Sequence, residues 1–212
     1  MINILLVDDH TIVRDGLKRI ISESIGMEVI AEAENGQIAL DIIYENSSIN
    51  FVVLDISMPG RSGLDVLKDM KNYNPELSVL MLSMHAQDQY AIRTLKAGAS
   101  GYLTKESASE LLVEAIQKIH QGGRFISNEL AELLALRLND KKVDYPHDQL
   151  SDREYQVMIL IASGKTIVEI SKELVLSDKT ISTYRARILE KMSLRTNSEI
   201  THYAFLNKLV TK

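Results

Sequence analysis

Cysteine is absent from this sequence of 212 residues. Without thiols the chain can form no disulfide, no thiolate nucleophile and no cysteine-based zinc site, and a reducing compartment is compatible with it. Long apolar runs are missing too, since none approaches the roughly 20 residues that a membrane-spanning helix needs. The first ten residues, MINILLVDDH, lack the basic segment and the small-residue cleavage site of a signal peptide. We therefore expect a cytoplasmic protein.

Charge is distributed unevenly along the chain. Residues 1–125 carry 11 basic and 17 acidic side chains, which is a net charge of −6, whereas residues 148–212 carry 10 and 8, which is +2. Two segments of opposite net charge indicate two domains with different partners. A surplus of two positive charges is far below that of a strongly basic nucleic-acid-binding domain, so charge alone does not identify the partner of the second segment.

Apolar runs alternate with helical patterns in residues 1–122. The runs lie at 2–7, 28–33, 51–54, 78–82 and 101–103, and apolar residues with helical spacing follow each of them. Strands that alternate with helices form a parallel sheet covered on both faces. The pattern therefore predicts an α/β domain with a doubly wound, five-stranded parallel sheet.

A different organisation follows this predicted sheet domain. We expect residues 123–149 to link two domains, with a helix at about 127–138 and then a polar stretch that contains Pro146. From residue 150 onwards the pattern is entirely helical. Ser151 and Glu154 have the spacing of a capping box, and Ser177 is placed to cap a later helix. Residues 150–212 are therefore predicted to form a small all-α domain of four helices.

Charged and hydroxyl residues come at the ends of four predicted strands. Asp8 and Asp9 follow the first strand, Asp55 follows the third, Ser83 ends the fourth and Lys105 follows the fifth. In an open parallel sheet, ligands bind beyond the carboxyl ends of the strands. Carboxylate oxygens suit a hard cation such as Mg²⁺. A carboxylate at the end of a fully apolar strand is costly unless it is paired or bound to metal, so these residues predict one acidic site.

Together with the turn Met58-Pro59-Gly60, these strand-end residues resemble the receiver domain of bacterial response regulators over about 120 residues. The resemblance implies a flavodoxin-like fold and phosphorylation of Asp55 by a sensor histidine kinase. It implies a Mg²⁺ site formed by Asp8, Asp9, Asp55 and the backbone carbonyl of Ser57. It also implies that Ser83 and Lys105 contact the phosphoryl group and that Tyr102 is an aromatic switch residue.

Simpler interpretations exist for single residues of this acidic site. Asp9 could cap the helix that begins near Thr11, and Tyr102 could be a plain packing residue. His10 flanks the site, but one histidine beside oxygen ligands does not indicate a transition-metal site. A phosphatase with an aspartyl-phosphate intermediate would also use carboxylates at strand ends. Such hydrolases typically place a second Asp two residues after the nucleophile, where this chain has Ser57, so we expect no enzyme beyond transfer to and hydrolysis from its own Asp55.

The stretch from 166 to 192 has the character of a helix-turn-helix. Ile181, Ile188 and Met192 share one stripe of its second helix, and the opposite face carries small, hydroxyl and basic residues. Such residues can approach base edges and reach phosphates, and a recognition helix presents its N-terminal residues to the major groove. The DNA-contacting residues that we predict are Lys179, Thr180, Ser182, Thr183, Tyr184, Arg187 and Lys191.

Residues 150–212 resemble the LuxR-type DNA-binding domain. The motifs that carry this resemblance are Leu150–Glu154, Leu176-Ser177, Lys179-Thr180-Ile181 and Arg187–Met192. The whole chain is thus similar to the NarL/FixJ-type response regulators, and it leans towards the GacA/UvrY branch. The resemblance implies a transcription regulator that binds double-stranded promoter DNA, as a homodimer once it is phosphorylated.

Two alternatives for the helical half remain at this point. It could be a bundle that binds protein, in a chain that passes its signal by protein contact alone. Its last helix, with Ile200, Tyr203, Ala204 and Leu209, could pair with a second copy or could simply close the bundle. The sequence does not separate these alternatives.

Overall fold

The computed structural model of the protein describes residues 1–84, 88–127, 130–132, 145–207 and 209–210. The chain divides into two compact units, Met1–Arg137 and Leu138–Lys212. Most of the helix predicted at 127–138, and residues 139–144 of the predicted linker, lie outside the described residues. No helix in the described part of the chain is long and apolar enough to cross a membrane.

A five-stranded parallel sheet organises the first unit. Its strands are β1 (Ile2–Val7), β2 (Met27–Ala33), β3 (Phe51–Asp55), β4 (Ser78–Ser83) and β5 (Gly101–Thr104). Their spatial order is β2-β1-β3-β4-β5, and all four neighbouring pairs are parallel. The predicted α/β fold is therefore confirmed, and the carboxyl ends of all five strands meet at one edge.

Five helices connect and cover these strands. They are α1 (Thr11–Ser22), α2 (Gly36–Glu45), α3 (Gly63–Tyr73), α4 (Asp88–Lys96) and α5 (Lys105–His120). Alternate strand residues such as Ile4, Val53 and Leu80 form one buried cluster with residues of α1 and α5. Because strand side chains alternate between faces, the intervening residues lie on the opposite face, the side of α2, α3 and α4. The sheet is thus buried on both faces, which explains its continuous apolar runs.

The chain returns to the sheet after α5. Phe125 forms a parallel bridge with Gly101, donates its N–H to the carbonyl of Ser100 and accepts from the N–H of Tyr102. Its side chain is buried in the cluster of α1 and α5. A Cβ on Gly101 would lie 2.8 Å from the carbonyl oxygen of Phe125, so only glycine permits this approach. Phe125 therefore covers the outer edge of β5.

All the regular elements described in the second unit are helices. It contains a 3₁₀ helix (Pro146–Gln149) and four α-helices, α6 (Asp152–Ala162), α7 (Ile167–Leu174), α8 (Asp178–Lys191) and α9 (Asn197–Leu206). The predicted capping box of Ser151 and Glu154 is present at the start of α6, and the Ser177 side chain caps α8 by accepting from the N–H of Thr180. The predicted four-helix domain is confirmed.

Residues 146–149 belonged to the predicted polar linker, yet His147 is buried in the second unit. Its Nδ1 lies 2.6 Å from the hydroxyl oxygen of Tyr203, a residue of α9. Its ring also stacks on Tyr145 at 5.3 Å. The chain thus packs against the bundle before the first α-helix of the unit begins. Of the last-helix residues, Ile200 and Ala204 are buried as well, so these residues close the bundle within one chain.

Candidate functional site

A buried lysine links two carboxylates at the carboxyl edge of the sheet. Lys105 Nζ lies 2.6 Å from Asp8 Oδ2 and 2.7 Å from Asp55 Oδ2. Asp8 and Asp55 are fully buried, and the lysine side chain is only 7% exposed. These residues follow β1, end β3 and begin α5, so residues far apart in sequence meet where parallel strands end. The buried carboxylates of Asp8 and Asp55 thus share the ammonium group of Lys105.

Burial and the neighbouring charges both shift the pKa values of Asp55 and Lys105. Burial raises the pKa of Asp55, and the neighbouring Asp8 adds to that effect, whereas Lys105 and the N–H of Ser57 act against it. Burial alone would lower the pKa of Lys105, but its attraction to Asp55 and Asp8 and its hydrogen bonds to them raise it. Removal of the ammonium would leave two buried carboxylates without their shared partner, which is strongly unfavourable.

The loop between β1 and α1 supplies further metal-ligand atoms. Oxygens of Asp8, Asp9 and Asp55 and a ring nitrogen of His10 all lie within 4.8 Å of one another. The Oδ1 atom of Asp9 is buried and accepts no hydrogen bond from the described residues, although His10 Nδ1 lies 2.9 Å away. A buried carboxylate oxygen of this kind fits a hard cation that prefers oxygen ligands. The cluster is compatible with Mg²⁺, and His10 lies within it rather than merely beside it.

The loop after β3 is held closely against Asp55. The N–H of Ser57 donates to Asp55 Oδ1 at 3.2 Å, and Ser57 is exposed. At the start of α3, a Cβ on Gly63 would lie 2.0 Å from the backbone oxygen of Asp55. Only glycine can begin α3 at this distance, and the hydroxyl of Ser62 caps the helix by accepting from the N–H of Asp65.

Ser83 ends β4 at this edge, and Tyr102 is the second residue of the neighbouring strand β5. Asp55 is paired with Leu82 and Ser83 with Thr104, the residue before Lys105. Tyr102 is paired with Met81 in the neighbouring strand. Both Ser83 and Tyr102 are buried, with 1% and 6% of their surfaces exposed.

One face of α8 carries most of the predicted DNA-contacting residues. Lys179, Ser182, Thr183 and Arg187 are exposed on it, while Ile181 and Ile188 are buried on the opposite face. Thr180 and Tyr184 are half-buried at the border between the two faces. These last two are therefore less accessible than the sequence pattern suggested.

Lys191, another of the predicted DNA contacts, forms an ion pair inside the unit. Its Nζ lies 2.6 Å from Glu154 Oε2. The Glu154 side chain is 3% exposed and also accepts the N–H of Ser151 in the capping box. Burial opposes ionisation of Glu154, but hydrogen bonds from Lys191 and Ser151 outweigh it and lower its pKa. Lys191 thus ties the end of α8 to the start of α6.

Arg14 was not among the predicted site residues, although it contacts the acidic site. Its Nη1 donates to the backbone oxygen of Asp8 at 2.6 Å. On the sequence it looks like any basic residue of an amphipathic helix, because nothing local signals a side chain that reaches back six residues to a carbonyl group.

Comparison with known protein families agrees with both halves of this description. Residues 4–117 match the family described as response regulator receiver domain, and residues 148–204 match the bacterial regulatory proteins of the luxR family. This chain belongs to the response regulators. The predicted organisation, a receiver domain and a LuxR-type DNA-binding domain in one chain, is confirmed.

Full-length response regulators are also similar to this chain. UvrY of Escherichia coli (strain K12) is 36% identical over 210 residues, which cover 99% of this chain and 96% of UvrY. GacA of Pseudomonas aeruginosa is 36% identical over 211 residues, which cover 99% and 98%. A solved structure of RcsB from Salmonella enterica serovar Typhimurium, bound to promoter rprA in the presence of phosphomimetic BeF3−, has a TM-score of 0.65 and 25% identity, with 96% of this chain and 98% of that chain covered. The expected GacA/UvrY branch is confirmed.

Proposed function

We propose that this response regulator accepts a phosphoryl group on Asp55 from a sensor histidine kinase and then binds promoter DNA as a dimer. The observation that carries the proposal is the ammonium of Lys105 placed 2.7 Å from Asp55 Oδ2 and 2.6 Å from Asp8 Oδ2 in a buried acidic pocket. A carboxylate in such a place serves as a nucleophile when neighbouring charges orient it.

The transfer requires little covalent chemistry from the protein. An oxygen of Asp55 forms a bond to phosphorus while the P–N bond of the kinase phosphohistidine breaks, and the imidazole nitrogen keeps the electron pair. Asp8, Asp9, Asp55 and the carbonyl of Ser57 are the groups that would hold Mg²⁺, which neutralises charge on the phosphoryl oxygens when it is bound. Lys105 would stay with the acyl phosphate, and Ser83 would donate its hydroxyl to a phosphoryl oxygen.

Tyr102 and Ser83 are the proposed switch residues of the first unit. Both are buried, Ser83 at the end of β4 and Tyr102 in the neighbouring strand β5, so new contacts made by Ser83 would change packing around Tyr102. Because the ring of Tyr102 is buried in this structure, the change that we propose is a rearrangement of buried packing. Such a local change in charge and packing can bias a two-state element.

DNA recognition is assigned to the exposed face of α8. Lys179 and Arg187 would reach phosphates, while Ser182 and Thr183 would face base edges. The proposed dimer presents two copies of α8 to half-sites about one helical turn apart. Because Ile200 and Ala204 are buried within the chain, the dimer surface proposed for α9 consists of the exposed side chains of Phe205 and Leu206.

Intact mass spectrometry tests the phosphorylation directly. The wild type and Asp55→Asn are incubated with Mg²⁺ and acetyl phosphate, and a phosphoryl adduct is expected on the wild type alone. A gel-shift titration of the same samples then tests the switch, and equal DNA binding by both proteins with the phosphodonor would refute it. No adduct on the wild type, with acetyl phosphate or with a phosphorylated histidine kinase, would contradict the assignment of Asp55.

Selection on randomised DNA tests the recognition face. Lys179→Ala removes a phosphate contact and is expected to weaken binding to all sequences alike, with a smaller salt dependence. Thr183→Ala is expected to change the preferred sequence instead, by about 1–3 kcal/mol at one base position. An unchanged motif for Thr183→Ala would contradict the proposed base contact.

A further inference from the structure

Arg14 of α1 reaches back over the loop of Asp8, Asp9 and His10, which we call the acidic loop. Its Nη1 donates to the backbone oxygen of Asp8 at 2.6 Å, and its side chain is only 13% exposed. Asp9 and His10, which lie between them, are members of the acidic cluster. A single side chain therefore bridges from the second turn of α1 to the first residue after β1.

The start of α1 has no side-chain cap. His10 occupies the N-cap position but makes no side-chain capping hydrogen bond. On its other sides Asp8 is held well, since its N–H donates to the carbonyl of Ala33 and its Oδ1 accepts the N–H of His10 at 2.8 Å. Asp8 Oδ2 contacts Lys105. The backbone carbonyl is then the remaining polar group of Asp8, and it accepts from Arg14.

A carboxylate also lies beside the guanidinium group. Glu32 on β2 places Oε2 3.5 Å from Arg14 Nε and Oε1 2.5 Å from Lys18 Nζ. The hydrogen bond from Lys18 lowers the pKa of Glu32, and the positive charge of Arg14 contributes to the same shift. Glu32 therefore stays ionised between two cations, of which only Arg14 also contacts the acidic loop.

We propose that Arg14 is a positioning residue for the metal ion and for phosphorylation, because it holds Asp8 and Asp9 in the geometry that binds a divalent cation. This inference rests on the proposed function. It predicts whether loss of Arg14 weakens or strengthens Mg²⁺ binding. A positive charge this near the pocket repels a cation, so loss of the charge alone would strengthen Mg²⁺ binding. Loss of the positioning contact weakens Mg²⁺ binding instead.

Isothermal titration calorimetry with Mg²⁺ on the full-length chain distinguishes the two effects. Arg14→Ala is compared with Lys18→Ala. The Lys18 substitution also removes one positive charge and one partner of Glu32, but it leaves the contact between Arg14 and the acidic loop intact. We expect Arg14→Ala to raise the Mg²⁺ dissociation constant about tenfold, because a charge-assisted hydrogen bond is lost. Lys18→Ala is expected to leave the constant unchanged or slightly lower. Arg14→Lys keeps the charge and a donor group but loses the planar guanidinium. We expect it to raise the Mg²⁺ dissociation constant about threefold.

Phosphorylation by acetyl phosphate gives the second measurement. The rate for Arg14→Ala is expected to fall at low Mg²⁺ and to approach that of the wild type when Mg²⁺ saturates, since positioning acts through the metal. Circular dichroism confirms the fold of each variant, and Arg14→Lys tests the proposal if Arg14→Ala does not fold.

The outcomes separate this inference from the proposed function. Equal or tighter Mg²⁺ binding by Arg14→Ala than by Lys18→Ala would overturn the positioning role. A wild type that binds Mg²⁺ but forms no phosphoryl adduct would overturn the phosphoacceptor and leave the metal-positioning result standing. A wild type that binds no Mg²⁺ would overturn both.

Discussion

Replacement of Lys191 by methionine separates a structural role from a DNA-contacting one. Lys191 stands at the end of the recognition helix α8, where the sequence predicted a DNA contact. In the structure its ammonium lies 2.6 Å from Glu154, whose side chain is 3% exposed, whereas the Lys191 side chain itself is 39% exposed. Methionine keeps the length and the apolar stem and removes only the charged donor.

The expected loss of stability depends on the exposed fractions of the Lys191 and Glu154 side chains. A hydrogen bond to a charged group contributes about 1.5–3 kcal/mol, and breaking a fully buried ion pair costs about 3–5 kcal/mol. Because water can reach the lysine side of this pair, we expect Lys191→Met to lower the free energy of unfolding of the second unit by about 2 kcal/mol. That value corresponds to a change of about 30-fold in the opening equilibrium.

Amide hydrogen exchange on the full-length chain measures this change locally. Peptides of α6 and α8 are expected to exchange about 30-fold faster in Lys191→Met, while peptides of the sheet in the first unit stay unchanged and serve as the internal reference. Lys179→Met is the matched control, since it removes the same charge from an exposed position of the same helix. It is expected to weaken DNA binding with no effect on exchange. Unchanged exchange in Lys191→Met, with the same loss of salt dependence in DNA binding as Lys179→Met, would refute the reasoning.

The remaining predictions concern the stability of the second unit. Val175 has a left-handed backbone (φ 52°) and is 65% exposed, and this conformation costs a β-branched residue about 1–2 kcal/mol. Val175→Asn is therefore expected to raise the free energy of unfolding by about 1 kcal/mol in a urea titration, while Val175→Thr, which keeps the branch, is expected to raise it little. Since the pKa of folded Glu154 is lowered, its stabilising effect is present above the unfolded carboxylate pKa of about 4.3 and is lost as the pH falls through the folded value. The stability difference between wild type and Glu154→Gln should thus be largest near neutral pH and shrink in acid; a difference independent of pH would contradict this.

Much of the fold and the acidic pocket could be predicted, because hydrophobic periodicity and the alternation of strands with helices indicate which residues meet in a parallel sheet. Once five buried strands run parallel, their carboxyl ends must meet at one edge. The sequence therefore predicted that Asp8, Asp55 and Lys105 lie close together. The capping residues Ser151 and Ser177 were predictable for a local reason, since a cap bonds a backbone group within three residues. These features depend on spacing, which the sequence shows directly.

Other features depend on contacts between residues that have no periodic relation. His147 lies in a polar stretch but is buried, because Tyr203, 56 residues later, supplies its hydrogen-bond partner. Lys191 was assigned to DNA from its helical face, yet Glu154 lies 37 residues away in sequence and within hydrogen-bonding distance in space.

The sequence by itself determined the two domains, the strand that each charged residue ends or follows, and the family to which the chain belongs. Hydrophobic periodicity and local capping depend on residues that are neighbours in sequence. The tertiary structure alone decided which side chains satisfy buried charges and carbonyl groups. Arg14 at the carbonyl of Asp8, Lys191 at Glu154 and His147 at Tyr203 are all such pairs. A buried polar group requires a partner, but only the folded chain determines which residue is close enough to provide it.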